Sequence, residues 1–268
     1  MDDKIKIKVQ ELLESGRIKG FLGLREYYGQ VGPYLFTDCK DLEGMVAGDR
    51  KTPGDTRYPL NKQLITITRH YPGDAFGVLV RGCDERGLKT LFSSNQLDPE
   101  KVVPVGLACP QELADACECR KPFPNEFVAG QPAEAHSFDS VARLEAIGLD
   151  ERFESWLAQF SKCIKCYGCR NICPMCYCSE CTLESQNFTH IGSLPPENPI
   201  FHLTRALHMA GRCIDCGLCS EACPADIPLR SLYKKIADIV DEEFHFRPGY
   251  DDSKTKPSLD ILGEAAKH

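Results

Sequence analysis

Two stretches of this chain spell the same phrase, C-x-x-C-x-x-C-x-x-x-C-P. The first copy is Cys163, Cys166, Cys169, Cys173 and Pro174; the second is Cys213, Cys216, Cys219, Cys223 and Pro224. No other feature constrains the fold as much, because thiolates at this spacing must converge on a common partner. Three cysteines set three residues apart wrap one face of a cubane 4Fe-4S cluster. The fourth, offset by three residues and followed by proline, points away and in two-cluster proteins ligates the other cluster. The proline keeps the residue before it extended and turns the chain aside. The expected ligand sets are therefore Cys163, Cys166, Cys169 and Cys223 for one cluster, and Cys213, Cys216, Cys219 and Cys173 for the other. Zinc also uses C-x-x-C pairs, but it takes four ligands per ion and has no use for the crossed arrangement.

The bulk properties agree with a metal-binding role. The chain has 268 residues, 16 of them cysteine, and a net charge of −7. The opening residues MDDKIKIKVQELLESG are polar and do not read as a signal peptide. No apolar run reaches membrane-spanning length. A cytoplasmic location is expected, where thiols stay reduced and serve metals rather than disulfides. The acidic balance argues against nucleic acid as a partner. Lys4, Lys6 and Lys8 read as a solvated helix face.

Hydrophobic patterning divides the chain into an N-terminal α/β domain (1–130), a linker with a short helix (131–158), a two-cluster ferredoxin-like domain with flanking helices (159–245) and a tail (246–268). Residues 5–15 predict a short amphipathic helix ending near Gly16, and 18–50, rich in glycine, predict short strands and turns. Residues 59–71 fit helix or strand, with helix preferred. AFGVLVRG (75–82), CDERGLKTLFSSNQL (83–97) and VVPVGLA (102–108) read as strand, helix and strand, a βαβ unit with parallel strands. Further helices are expected in ERFESWLAQFSKC, in IFHLTRALHMAGR and after Pro228, with a polar turn at LPPENP.

Eight cysteines lie outside the two motifs. Cys83 falls where a strand gives way to a helix, and Cys109 ends the next strand. Reactive groups favour the carboxyl ends of parallel strands, and a helix N-terminus lowers a thiol pKa. Cys117 and Cys119 follow within one loop. These four are candidates for a third iron–sulfur cluster or a zinc site, with free thiols as the remaining reading. Cys176, Cys178 and Cys181 read either as a local alternative ligand group or as small buried apolar residues. Cys39 stands alone. His202 and His208 flank the helix before the second motif, in structural roles near the clusters.

Catalytic signatures are missing: no G-x-G-x-x-G follows a strand, and there is no phosphate-binding loop, nucleophile elbow or H-E-x-x-H. No substrate-transforming constellation is expected.

The runs CIKCYGCRNICPMCYCSEC and FHLTRALHMAGRCIDCGLCSEACPADIPLRSLYKK resemble 4Fe-4S dicluster subunits associated with heterodisulfide reductase and flavin oxidoreductase complexes. The pieces VLVRGCDERGL and VVPVGLACP resemble the β-subunit family of deazaflavin-reducing hydrogenases and formate dehydrogenases. Together the matches cover roughly 60–125 and 155–240. The resemblance implies an iron–sulfur subunit of an anaerobic oxidoreductase complex. Such a subunit relays single electrons between a flavin-containing subunit and a dehydrogenase, hydrogenase or heterodisulfide reductase-like partner. The alternative it implies is a flavin-binding β subunit that reduces a deazaflavin. Here the cluster motif is C-terminal and little sequence remains for a full flavin domain, so flavin is not counted among the expected cofactors.

Overall fold

The structure, a computed structural model, describes residues 2–48, 57–185 and 198–250. It divides into two compact units, 1–137 and 138–268.

In the first unit, helix α1 (Asp2–Glu14) sets Ile5 and Val9, four residues apart, into the core. It stops in a Schellman turn: Gly16, at φ +68°, donates to Leu13 O and Arg17 donates to Leu12 O. Strands β1 (Gly20–Tyr27) and β2 (Gln30–Phe36) form an antiparallel hairpin, and β3 (Met45–Val46) pairs with β1. The hairpin turn is Tyr28–Gly29, both at positive φ, as a two-residue turn between right-twisted strands requires.

Helix α2 (Leu60–His70) takes the helical option for its segment. Next comes the βαβ unit, with β4 (Phe76–Val80), α3 (Gly82–Ser93) and β5 (Val102–Gly106). The sheet order is β2-β1-β4-β5, and β4 lies parallel to both neighbours. All five residues of β4 are buried. Successive strand residues point to opposite faces, so both faces of the sheet are covered here. Pro104 is tolerated because β5 pairs on one side only. Helix α3 ends four residues short of the expected Leu97. Asn95 adopts φ +52° and Gln96 donates back to Leu91 O, which closes the helix.

Beyond β5 the chain forms α4 (Gln111–Ala116), then returns beside its own strand end. Leu107 bridges Ala129, and Val128 donates to Gly106 O. A Cβ on Gly106 would lie 1.9 Å from Glu126 O. That contact is backbone on backbone and cannot relax cheaply. Gly106→Ala is therefore expected to destabilise this unit by about 3 kcal/mol or more, seen as a lower midpoint in denaturation followed by circular dichroism.

The described residues of the second unit are helices and loops. They comprise α5 (Asp139–Glu145), α6 (Leu149–Ser161), α7 (Gly168–Asn171), α8 (Asn198–Met209), α9 (Leu218–Glu221) and α10 (Leu229–Phe244). The mixed α/β unit followed by a helix-flanked cysteine region is the fold class expected. The N-terminal lysine run is solvated as read, with Lys8 paired to Glu11 at 3.1 Å. Most of the LPPENP turn and the tail from 251 lie outside the described residues. No described helix is long and apolar enough to cross a membrane.

Candidate metal centre

Both cysteine motifs fold by the same device. The residues just before and after the second cysteine are left-handed: Lys165 (φ 52°) and Tyr167 (φ 58°) in the first, Asp215 (φ 53°) and Gly217 (φ 79°) in the second. Non-glycine residues give up roughly 1–2 kcal/mol each in this region. In return the loop turns its amides onto sulfur. Lys165 N–H donates to Cys163 Sγ at 3.3 Å and Gly168 N–H to Cys166 Sγ at 3.5 Å. The Asp215 amide does the same for Cys213. Hydrogen bonds to sulfur favour its anionic form.

One helical turn follows each loop, α7 and α9, and these pack on each other. Gly168 lets them close: a Cβ there would lie 2.9 Å from Ala222 O. The fourth cysteine then leaves each turn, with Cys173 N–H on Arg170 O and Cys223 N–H on Ser220 O.

Two cavities result. One is lined by Cys163, Cys166, Cys169 and Cys223. The other is lined by Cys173, Cys213, Cys216 and Cys219. Each therefore gathers three cysteines of one motif and the fourth of the other. The thiols of the two sites also feel each other, since Cys169 acts on Cys219. Arg230 clamps the second loop through Asp215, with Nε on the carboxylate at 2.9 Å and Nη2 on the carbonyl at 2.8 Å.

Each cavity also holds a buried polar group whose hydrogen-bonding capacity the described residues leave unmet. His202, 1% exposed, lines the first cavity, and neither ring nitrogen has a partner among the described residues. Burial, and then Arg205, pushes its pKa down to about 4, so it is neutral. Its ring stacks on Phe160 at 4.6 Å, and Phe160 stacks on Trp156 at 5.5 Å. Arg205, 2% exposed, lines the second cavity. It donates to Tyr233 Oη, to Cys169 O at 2.9 Å and to Cys176 Sγ at 3.9 Å, and its Nε has no partner among the described residues. A cluster fits both cavities: eight sulfur donors, amides aimed at sulfur, and an unsatisfied buried polar group in each. Without metal, burial pushes the Cys169 thiol up to about 11 and Cys213 up to about 12.

Arg205 escaped the sequence reading. The signal was present, because Phe201, His202, Arg205 and Met209 form one buried stripe on α8. A guanidinium inside an apolar stripe needs an anionic partner. His208, in contrast, is exposed rather than near a cavity. Cys176 hydrogen-bonds with Cys173. Cys178 is exposed and Cys181 is half-buried, so the reading of this trio as small buried apolar residues does not hold.

In the first unit Cys83, Cys109, Cys117 and Cys119 do come together. Cys109 acts on Cys83, and Cys117 and Cys119 act on Cys109. The expected lowering of the Cys83 pKa at a helix N-terminus is overturned. Burial and the neighbouring Asp84 carboxylate push it well up, against Arg57 and Arg86. Cys39 is half-buried.

The family of 4Fe-4S binding domains matches residues 208–228, the whole second motif. Over 100 residues the chain is 41% identical to the F420-dependent formate dehydrogenase subunit beta of Methanocaldococcus jannaschii, covering 37% of this chain and 26% of that protein. Over 114 residues it is 43% identical to the F420-dependent formate dehydrogenase 1 subunit beta of Methanococcus maripaludis, covering 41% and 29%. The chain thus spans little more than a quarter of these relatives. It is an iron–sulfur protein with a 4Fe-4S binding domain, and a shared segment ties it to the β subunits of F420-dependent formate dehydrogenase.

Proposed function

We propose that residues 138–250 hold two 4Fe-4S clusters on exchanged ligands, and that the chain relays single electrons as a subunit of a formate dehydrogenase-type complex. The flow would run between a flavin-containing subunit and a dehydrogenase subunit. The observation that carries this reading is the pair of cavities, each lined by three cysteines of one motif and the fourth of the other. Bound there, such clusters take up and release one electron at a time with little rearrangement. The chain's own residues do the rest. The left-handed loops aim amides at sulfur, Arg205 places positive charge beside the second cavity, and Phe201, Ile227 and Leu229 keep water from the first. Burial, charge and hydrogen bonds to sulfur set the potential.

The test is anaerobic reduction of the full chain followed by EPR and by reoxidation with a one-electron viologen acceptor. Expected are two magnetically coupled cluster signals, rapid electron exchange, and no formate oxidation or deazaflavin reduction by the chain alone. Turnover of either substrate without partners would overturn the relay reading.

The first cavity faces outward at Cys166 and at Ile164, which is 67% exposed. A partner would exchange electrons at this edge. Ile164→Asp is expected to keep its iron yet slow electron exchange with partner subunits about tenfold, equivalent to roughly 1.4 kcal/mol. Stopped-flow mixing with the isolated complex reads this directly.

A further inference from the structure

Cys83 and Cys109 hold equivalent positions on neighbouring strands. The register pairs Val80 of β4 with Gly106 of β5, and each cysteine lies three residues beyond its member of that pair. Parallel strands deliver both to the same edge of the sheet. Helix α4 then brings the chain back. Cys117 ends it, donating to Leu113 O, and Glu118 turns left-handed at φ 44°. That single inversion lets Cys119 rejoin Cys117 on the inner side, as the inversions at Lys165 and Asp215 do in the two motifs.

The loop is fixed from several directions. Cys119 N–H donates to Ala114 O, His136 N–H donates to Cys119 O, and Cys109 N–H donates to Pro122 O. A Cβ on Gly82 would lie 2.3 Å from Lys121 O, so this backbone also lies tight against the start of α3. Cys109, Cys117 and Cys119 are 8%, 8% and 7% exposed and share one buried cluster with Leu113.

Charge separates this group from an ordinary core. Arg81, 7% exposed, sends Nη1 to Cys109 Sγ at 3.7 Å and Nη2 to Gly48 O. Arg57 sends Nη2 to Cys83 Sγ at 3.7 Å. Two guanidinium groups aimed at buried sulfur are the donors that a metal-bound thiolate accepts from. Four converging cysteines match the ligand count of one cubane cluster. Among the described residues no grouping of three His, Cys, Asp or Glu side chains forms a single-ion site.

We infer that Cys83, Cys109, Cys117 and Cys119 hold a third 4Fe-4S cluster at the carboxyl edge of the parallel sheet, with Arg81 and Arg57 as hydrogen-bond donors to its cysteine sulfurs. The inference concerns the first unit and stands apart from the relay reading of the second.

The experiment is iron, acid-labile sulfide and zinc analysis of the full chain purified without oxygen, alongside two double variants. Wild type is expected to hold about twelve iron and twelve sulfide. Cys109→Ala/Cys119→Ala should lose about four iron while the coupled EPR signals of the second unit persist. Cys166→Ala/Cys216→Ala should keep about four iron with the Mössbauer signature of an isolated cubane, which guards against a misfolded first variant. About eight iron with no zinc, or about eight iron with one zinc, would overturn the inference while leaving the two-cluster reading intact. A Cys166→Ala/Cys216→Ala chain free of iron would overturn it as well. Loss of the coupled signals from wild type, with about four iron left, would instead sink the two-cluster reading.

Discussion

Cys216→Ala is expected to strip the second unit of about half its iron and to unfold much of residues 138–250. This is the largest effect foreseen. Among its described residues the unit has no sheet, and its cysteine loops carry left-handed residues at Lys165, Tyr167 and Asp215 that are unfavourable on their own. Metal binding is what offsets them, and in small metal-built domains that linkage amounts to about 10 kcal/mol or more. Cys216 lines the same cavity as Cys173, which belongs to the first motif, so its loss is felt by both loops. Trp156 is the chain's one tryptophan and stacks on Phe160, next to His202. Its emission should shift to the red and brighten as the nearby chromophore departs and the stack opens. A variant that keeps wild-type iron content and wild-type Trp156 emission would show that the thiol is not a ligand.

Arg205→Gln is expected to lower the reduction potential of the cluster in the second cavity while leaving iron content close to normal. The guanidinium is fully buried and remains charged. Burial alone would drive it to neutrality, but Tyr233, Cys173, Cys176 and Cys169 hold its pKa well up. Adding an electron beside a cation is easier, so removing the cation makes reduction harder. At an effective dielectric near 20, a unit charge several ångströms away is worth about 2–3 kcal/mol, on the order of 100 mV for one electron. An EPR-monitored redox titration measures this, and Arg205→Lys should recover part of the shift. A potential within about 20 mV of wild type would confine Arg205 to the structural bond with Cys169 O.

Much of this was legible in residue order, for reasons that differ by element. The βαβ unit showed because its strands are short β-branched runs buried on both faces, while α3 carries apolar residues at helical spacing. Its early end did not show, because a single asparagine entering the left-handed region has no pattern of its own. The spacing leads to two expected groups of cysteines, and the two cavities are lined by those same groups. Arg205 was missed because an arginine is ordinarily a surface residue, and only its place in a buried stripe reveals otherwise. The Cys83 pKa went the opposite way from the expectation because helix-end effects are worth about 1 kcal/mol, less than the desolvation of a buried thiolate.

The first cavity takes its fourth thiol from Cys223, which is translated only after α8, the second motif and α9. On a ribosome, then, neither site can be finished while the chain is still short. Cys163, Cys166 and Cys169 emerge early and must wait, reduced and unclaimed, until the far end of the unit appears. On the proposed ligand sets, iron and sulfide delivery would be a late event in the life of the nascent chain, and a premature stop between the motifs would leave two incomplete sites rather than one good one. The exchange of cysteines would then work as a completeness check, because each cavity is lined by cysteines of both motifs.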